Sequence, residues 1–227
     1  GYKYLRSNKG GSFSFTTLLA IIGLAIGISS LIVVTSVMNG FEKELEDRIL
    51  GVIPHSVITS DKPISNYENI ITNIKKNREV IGASPYINIQ AIVSSSYDTR
   101  GISVIGIDPN IEKNMSIVSE YMLIGNLDNI EKDNSIIIGS LLAANIGAYV
   151  GDQINITTSD IKTSIIGSYP RSVYLEIVGI YELKTEIDQF LTFISHQTAQ
   201  KLKNINNDET ISIRLKTTNL FDADLIS

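Results

Sequence analysis

Between Lys9 and Glu42 the chain has no charged residue. Within that stretch, residues 18–38 form a run of 21, of which 15 are Ala, Val, Ile, Leu or Met. The others are Gly23, Gly27, Ser29, Ser30, Thr35 and Ser36. At about 1.5 Å per residue such a helix is roughly 31 Å long, the thickness of a bilayer's hydrocarbon core. A helix satisfies its own backbone groups, so it can cross where loops and open strands cannot. A cleaved signal peptide has a shorter apolar run and a small-x-small cleavage site, and residues 35–41 offer none. A spanning helix is the reading that remains.

The flanks set its direction. Lys3, Arg6 and Lys9 precede the span, and basic residues stay on the cytoplasmic side. The chain beyond Phe41 is then exported. Gly23 and Gly27, four apart, let a second helix approach closely and mark a candidate packing face. Beyond the span Phe41, Leu45 and Ile49 recur every four residues, and Lys43-Asp47 and Glu44-Arg48 are opposite-charge pairs at the same spacing. The helix is therefore expected to run on past the membrane until Gly51 and Pro54 stop it. A rod of this kind transmits displacement where a floppy linker does not.

From Pro54 onward the texture changes to short strands and short helices. Strands are expected from residue 57, within 80–93, and at 101–107, 135–138, 153–157, 174–181, 191–194 and 210–216. Ser65 and Glu68 read as a capping box before a helix whose apolar face is Tyr67, Ile70, Ile71 and Ile74. Further helices are expected at 139–148 and 196–203. Without a strict βαβ rhythm the class is α+β. Residues 157–173 are rich in Ser, Thr, Gly and Pro yet hold Ile161, Ile165, Ile166 and Tyr169. They form either a partner-binding loop or a long hairpin packed on its own domain.

Chemistry is hard to find. Net charge is −5 overall, and with three basic residues up to Lys9 the rest carries −8, a poor surface for nucleic acid. There is no cysteine, which removes disulfides and thiolate metal sites. The two histidines, His55 and His196, read as surface or capping residues. Asp152 with Asp160, or Glu182 with Glu186, pair as acids only on paper. The glycines of residues 147–151 come after a helix and before a strand, the wrong order for a phosphate loop. No catalytic residue and no metal site is expected.

Several strings together resemble one family. Tyr4-Leu5-Arg6 precedes the span; Ser36-Val37-Met38-Asn39-Gly40-Phe41-Glu42 with Glu44-Leu45 closes it. Then come Asp47-Arg48-Ile49-Leu50-Gly51-Val52-Ile53-Pro54-His55, Val104-Ile105-Gly106-Ile107-Asp108-Pro109 and Ile137-Ile138-Gly139-Ser140. Gly151-Asp152-Gln153-Ile154, Gly167-Ser168-Tyr169-Pro170-Arg171 and Val178-Gly179-Ile180-Tyr181 complete the set. In this order they resemble the LolC/LolE proteins, permease subunits of the lipoprotein-releasing ABC transporter, related to MacB and FtsX.

The resemblance implies a cytoplasmic N-terminus (residues 1–12), a first transmembrane helix with a periplasmic extension (13–50) and a MacB-like periplasmic domain of two subdomains (51–227). Further spans would lie beyond Ser227, in the inner membrane of a Gram-negative bacterium. It also implies a LolD-like ATPase, which alone would hold ATP and Mg, so that this chain needs no cofactor. A second permease subunit (or a second copy of this chain), a LolA-like periplasmic carrier and lipoproteins are the other partners. The carrier-gripping loop of the family falls on residues 158–173, with Ile165, Ile166, Tyr169 and Pro170 as apolar grip and Arg171 and Ser172 beside them. This loop has fewer prolines than the family's, which leaves the subunit type open. Its length favours a LolC-like subunit, with a combined subunit forming both halves of a homodimer as the next choice and a LolE-like one also open. Val34, Met38 and Phe41 would meet a lipoprotein's acyl chains. A membrane-tethered sensor and a MacB-like exporter are the rival readings.

Overall fold

A computed structural model describes residues 15–54, 56–77, 80–95, 97–164 and 167–217, apart from the side chains of residues 46, 47, 61, 159–164 and 167–170. The chain divides into two compact units, residues 1–46 and 47–227.

The described residues of the first unit are helical. Helix α1 (Phe15–Leu50) has 36 residues, about 54 Å at 1.5 Å per residue. Its apolar stretch has a mean hydropathy of 2.6 and none of it is buried. Leu24, Ile28, Leu31 and Val37 are all about half or more exposed. A helix that is apolar all round and that no other described residue covers suits a non-aqueous surrounding. By length and composition it can cross a membrane. Thr35 returns its hydroxyl to the carbonyl of Leu31 at 2.8 Å, so even this polar residue is satisfied within the helix.

In the second unit the sequence order is β1 (Ser56–Ser65), α2 (Tyr67–Ile74), β2 (Val80–Ser94), β3 (Thr99–Ile107), α3 (Pro109–Met115) and β4 (Met122–Ile124). Next come β5 (Ser135–Gly139), α4 (Ser140–Ile146), β6 (Gln153–Ser164), β7 (Gly167–Tyr181), β8 (Leu191–Ser195), α5 (His196–Lys203) and β9 (Glu209–Thr217). Short 3-10 turns at Val118–Tyr121, Leu127–Glu131 and Glu186–Gln189 fill the connections. The class is α+β.

Pairing runs β1-β9-β2-β3-β8-β5-β7-β4, and β6 joins both β7 and β2. The strands β2, β3, β8, β5, β7 and β6 therefore close a ring. Only β3–β8 and β5–β7 within it are parallel. Strand β2 serves two neighbourhoods: its residues from Ile87 to Ser94 pair with β3 inside the ring, while the segment from Val80 to Tyr86 pairs with β9 outside it.

Alternate residues of the ring strands share one core: Ile87, Ile89, Ala91 and Val93 from β2, Ile136 and Ile138 from β5, Ile154 and Ile156 from β6. This is the period-2 rule of a pleated strand. Leu142 and Ile146 of α4 and Ala199 and Leu202 of α5 join them. Residues of the opposite parity, such as Ile105, Ile137 and Phe193, fall in a second cluster with Val52, Leu127 and Leu183. A third, small cluster joins Ile71 of α2 to Val80, Ala83, Ile213 and Leu215.

Two expectations are corrected. Ser65 does not cap α2; it ends β1, where its hydroxyl reaches Glu209 Oε1 at 3.3 Å. Asn66 stands at the cap with φ 53 and no side-chain bond. His196 is neither on the surface nor a cap. Ser195 caps α5 by accepting from the Thr198 N–H at 3.2 Å, and His196 is buried behind it.

Candidate docking hairpin and membrane helix

Strands β6 and β7 pair antiparallel, from Gln153↔Glu176 to Thr157↔Ser172 and then from Ile161↔Pro170 to Ser164↔Gly167. The register shifts between Thr157 and Ile161. Pairing of β6 with β2 covers Ala91↔Thr158 to Ser94↔Asn155 and goes no further. Likewise β5 meets β7 only from Glu176 onward. Beyond Thr158, then, the described backbone is a two-stranded ribbon with no third strand beside it. An isolated ribbon is marginal in water and gains stability from a partner surface. The described backbone of the stretch is thus β-paired; what its tip meets lies outside the described residues.

Ile165 and Ile166, the apolar tip, lie outside the described residues. Tyr169 and Pro170 sit on β7 opposite Lys162 and Ile161, and their side chains lie outside the description. Arg171 is committed within the fold: its Nη1 donates to the Leu202 carbonyl at 3.1 Å, tying the ribbon's root to the end of α5. Ser172 is exposed, its hydroxyl 2.7 Å from that of Thr157 across the hairpin. The structure thus separates two residues that sequence had grouped: Arg171 braces, while Ser172 faces outward.

On α1, Val34, Met38 and Phe41 are 58%, 68% and 63% exposed, open to lipid or to another helix. A methyl group added at Gly23 or Gly27 would meet nothing within 4 Å, so neither glycine is filled by a described neighbour of this chain.

The polar residues do not gather into a reaction centre. Asp152 accepts from the Tyr149 N–H at 2.8 Å in the turn after α4, where Gly147 and Gly151 take positive φ of 62° and 98°. The side chain of Asp160 lies outside the description, as does His55. His196 lines a cleft of about 480 Å³ with Tyr67, Asp108, Asn110 and Glu131. Its Nε2 lies 3.3 Å from Thr210 Oγ1, and Tyr67 packs edge-on, ring centres 5.6 Å apart. Burial pushes its pKa down to about 4, against the opposing pull of Asp108. A neutral, partnered ring of this kind is a core histidine. Among the described residues no cluster of His, Asp and Glu has the makings of a metal site.

Sequence reasoning placed the end of α1 at residue 50 but missed how that end is held. Arg48 Nη1 donates to the Leu183 carbonyl at 2.9 Å, and its guanidinium lies 5.2 Å from the centre of the Tyr121 ring. Ile49 and Val52 pack into the second cluster. The i, i+4 spacing pointed Arg48 along its own helix; a carbonyl 135 residues away leaves no local signal.

A family model for the MacB-like periplasmic core domain matches residues 17–223. The chain is 32% identical over 220 residues to the lipoprotein-releasing system transmembrane protein LolC of Neisseria meningitidis serogroup B, covering 95% of this chain and 53% of that protein. It is 27% identical over 207 residues to the corresponding LolE of Haemophilus influenzae, covering 89% and 50%. The crystal structure of the periplasmic region of MacB from Actinobacillus actinomycetemcomitans aligns with a TM-score of 0.47 and 9% identity, over 77% of this chain and 80% of that one. The chain spans about half the length of the curated relatives it matches.

Proposed function

The chain belongs to the family of the MacB-like periplasmic core domain, and from that membership we propose that it acts in a permease subunit that releases lipoproteins from a membrane. Supporting this reading are its similarity to LolC and LolE along most of its length and the apolar helix at its start. In this reading the N-terminus is cytoplasmic, with Lys3, Arg6 and Lys9 holding it there, and residues 51–227 are periplasmic. The β2 strand, shared between the ring and the β1–β9 sheet, marks where the two subdomains meet.

The work is mechanical. A LolD-like ATPase supplies the energy by binding ATP and Mg, a second permease subunit or second copy packs alongside, and α1 carries motion outward. Lipoprotein acyl chains pass Val34, Met38 and Phe41, where the flexible thioether of Met38 adapts to irregular chains. A LolA-like carrier docks on the β6–β7 ribbon through Ile165, Ile166, Tyr169 and Pro170, with Ser172 beside them.

The observation that carries this reading is the ribbon itself, two strands that leave the ring unpaired on both outer edges among the described residues. Replacing Ile165 and Ile166 by Asp tests it. Pull-down of a LolA-type carrier by the chain in nanodiscs is expected to be lost while thermal unfolding stays unchanged. Undiminished capture removes the docking role.

A further inference from the structure

Strand β7 runs from Gly167, at the ribbon's end, to Tyr181, and two residues later Leu183 accepts the hydrogen bond of Arg48. Its 15 residues span about 46 Å at roughly 3.3 Å each. One strand therefore has the candidate docking ribbon at its start and the last turn of α1 at its foot.

The foot is held unusually firmly. The Leu183 N–H donates to both carboxylate oxygens of Asp188, at 3.1 and 3.0 Å, and the Lys184 N–H donates to Oδ2 at 2.9 Å. Asp188 is fully buried. Lys184 sits at φ 60, a left-handed conformation that a lysine holds only when its surroundings impose it. The neighbouring Glu182 N–H donates to the Tyr121 carbonyl at 2.9 Å, and Arg48 covers the Tyr121 ring. Arg48 thus engages both walls of the turn. From there β7 is paired to β5 through Glu176 and to β6 from Glu176 to Ser172 and again from Pro170 to Gly167, a ladder that resists sliding on either side of the register shift between Thr157 and Ile161. The register shift opposite Ile136 and Ile137 is the one irregularity on the β5 side.

We propose that Arg48 is a positioning residue that couples the end of α1 to the β6–β7 ribbon through β7, so that a shift of the helix end re-aims the docking element. The coupling deepens, and for its purpose rests on, the reading of the ribbon as a docking site. A contiguous hydrogen-bonded path is not by itself coupling, and the test must separate transmission from local bracing.

Amide hydrogen exchange of the full chain in nanodiscs does so. In Arg48→Ala, loss of a charge-assisted hydrogen bond is expected to speed exchange at Leu183 and Lys184 by on the order of tenfold. The proposal requires faster exchange also at residues 168, 169, 171 and 172, with β1 and β9 unchanged. Arg48→Lys, which keeps a donor, should restore protection at both places. Faster exchange confined to residues 181–184 would make Arg48 a local brace and overturn the proposal. If Ala loosens β1 and β9 as well, Arg48→Gln, which is shorter and uncharged but keeps an aliphatic stem and an amide donor, is read by the same two criteria. Capture of a LolA-type carrier by the wild-type chain is scored separately. Exchange that spreads without any capture leaves the coupling standing and removes the docking reading.

Discussion

The guanidinium of Arg214 on β9 meets the carboxylate of Glu112 on α3 at 2.5 Å, with side chains 4% and 1% exposed. Arg214 Nε also donates to the Ser84 hydroxyl at 3.2 Å, while Glu112 Oε1 has no protein partner among the described residues. Two charges taken out of water gain little over an apolar pair, but either one left alone is costly. Arg214→Met should lower unfolding stability by about 3–5 kcal/mol. Adding Glu112→Leu should recover most of that loss. Urea titration of the two variants checks it; a double variant as unstable as the single one contradicts it.

His196 gives the fold a response to acid. Its pKa in the folded chain is about 4 against an ordinary 6.5. Between these values the unfolded chain takes up a proton that the folded chain refuses, so stability is complete above about pH 6.5 and falls as pH drops toward 4. The full difference corresponds to about 3 kcal/mol. Carboxylates titrate in part of the same window, so the comparison is with His196→Gln, whose stability should fall less across that range. Parallel pH profiles for the two proteins would contradict this assignment.

Gly106 lies where α5 rests on β3. A Cβ there would run into the Cβ of Ala199, with Ile87 Cβ at 3.5 Å and the His196 Cα at 3.6 Å behind it. None of these atoms can swing aside. Gly106→Ala should cost about 1–3 kcal/mol through overpacking, read as a lowered melting temperature. No change would mean that α5 shifts freely on the sheet.

The membrane role of α1 predicts a depth dependence. Ile28, near the middle of the apolar run and 51% exposed, should tolerate Arg poorly, at a cost of about 2.5–3.5 kcal/mol for insertion. The same change at Phe41, beyond the run, should cost much less because the side chain reaches the interface. The carbonate-resistant fraction of the expressed chain measures both. Equal behaviour of the two variants contradicts a span centred on Ile28.

How much could be read in advance depended on the range of the interactions. The apolar run, the strand at Ser135–Gly139 and the helix His196–Lys203 are local patterns, and they stand where periodicity put them. Helix α3 went unseen because its buried face includes Glu112, which no hydropathy pattern marks as interior. Closure of the ring by β6 and β2 joins segments some sixty residues apart, beyond any periodic signal. Ser65 misled because its spacing from Glu68 satisfied a local rule while a strand pair with β9 claimed it first. At the β6–β7 ribbon nothing local showed that Arg171 would turn back to Leu202.

Lipoprotein sorting in cells depleted of the protein to which this chain belongs tests the transport reading most directly. With the protein depleted, outer-membrane lipoproteins should accumulate in the inner-membrane fraction, and re-expression of the wild-type protein should clear them. Unaltered distribution of those lipoproteins between the two membranes after depletion would contradict it.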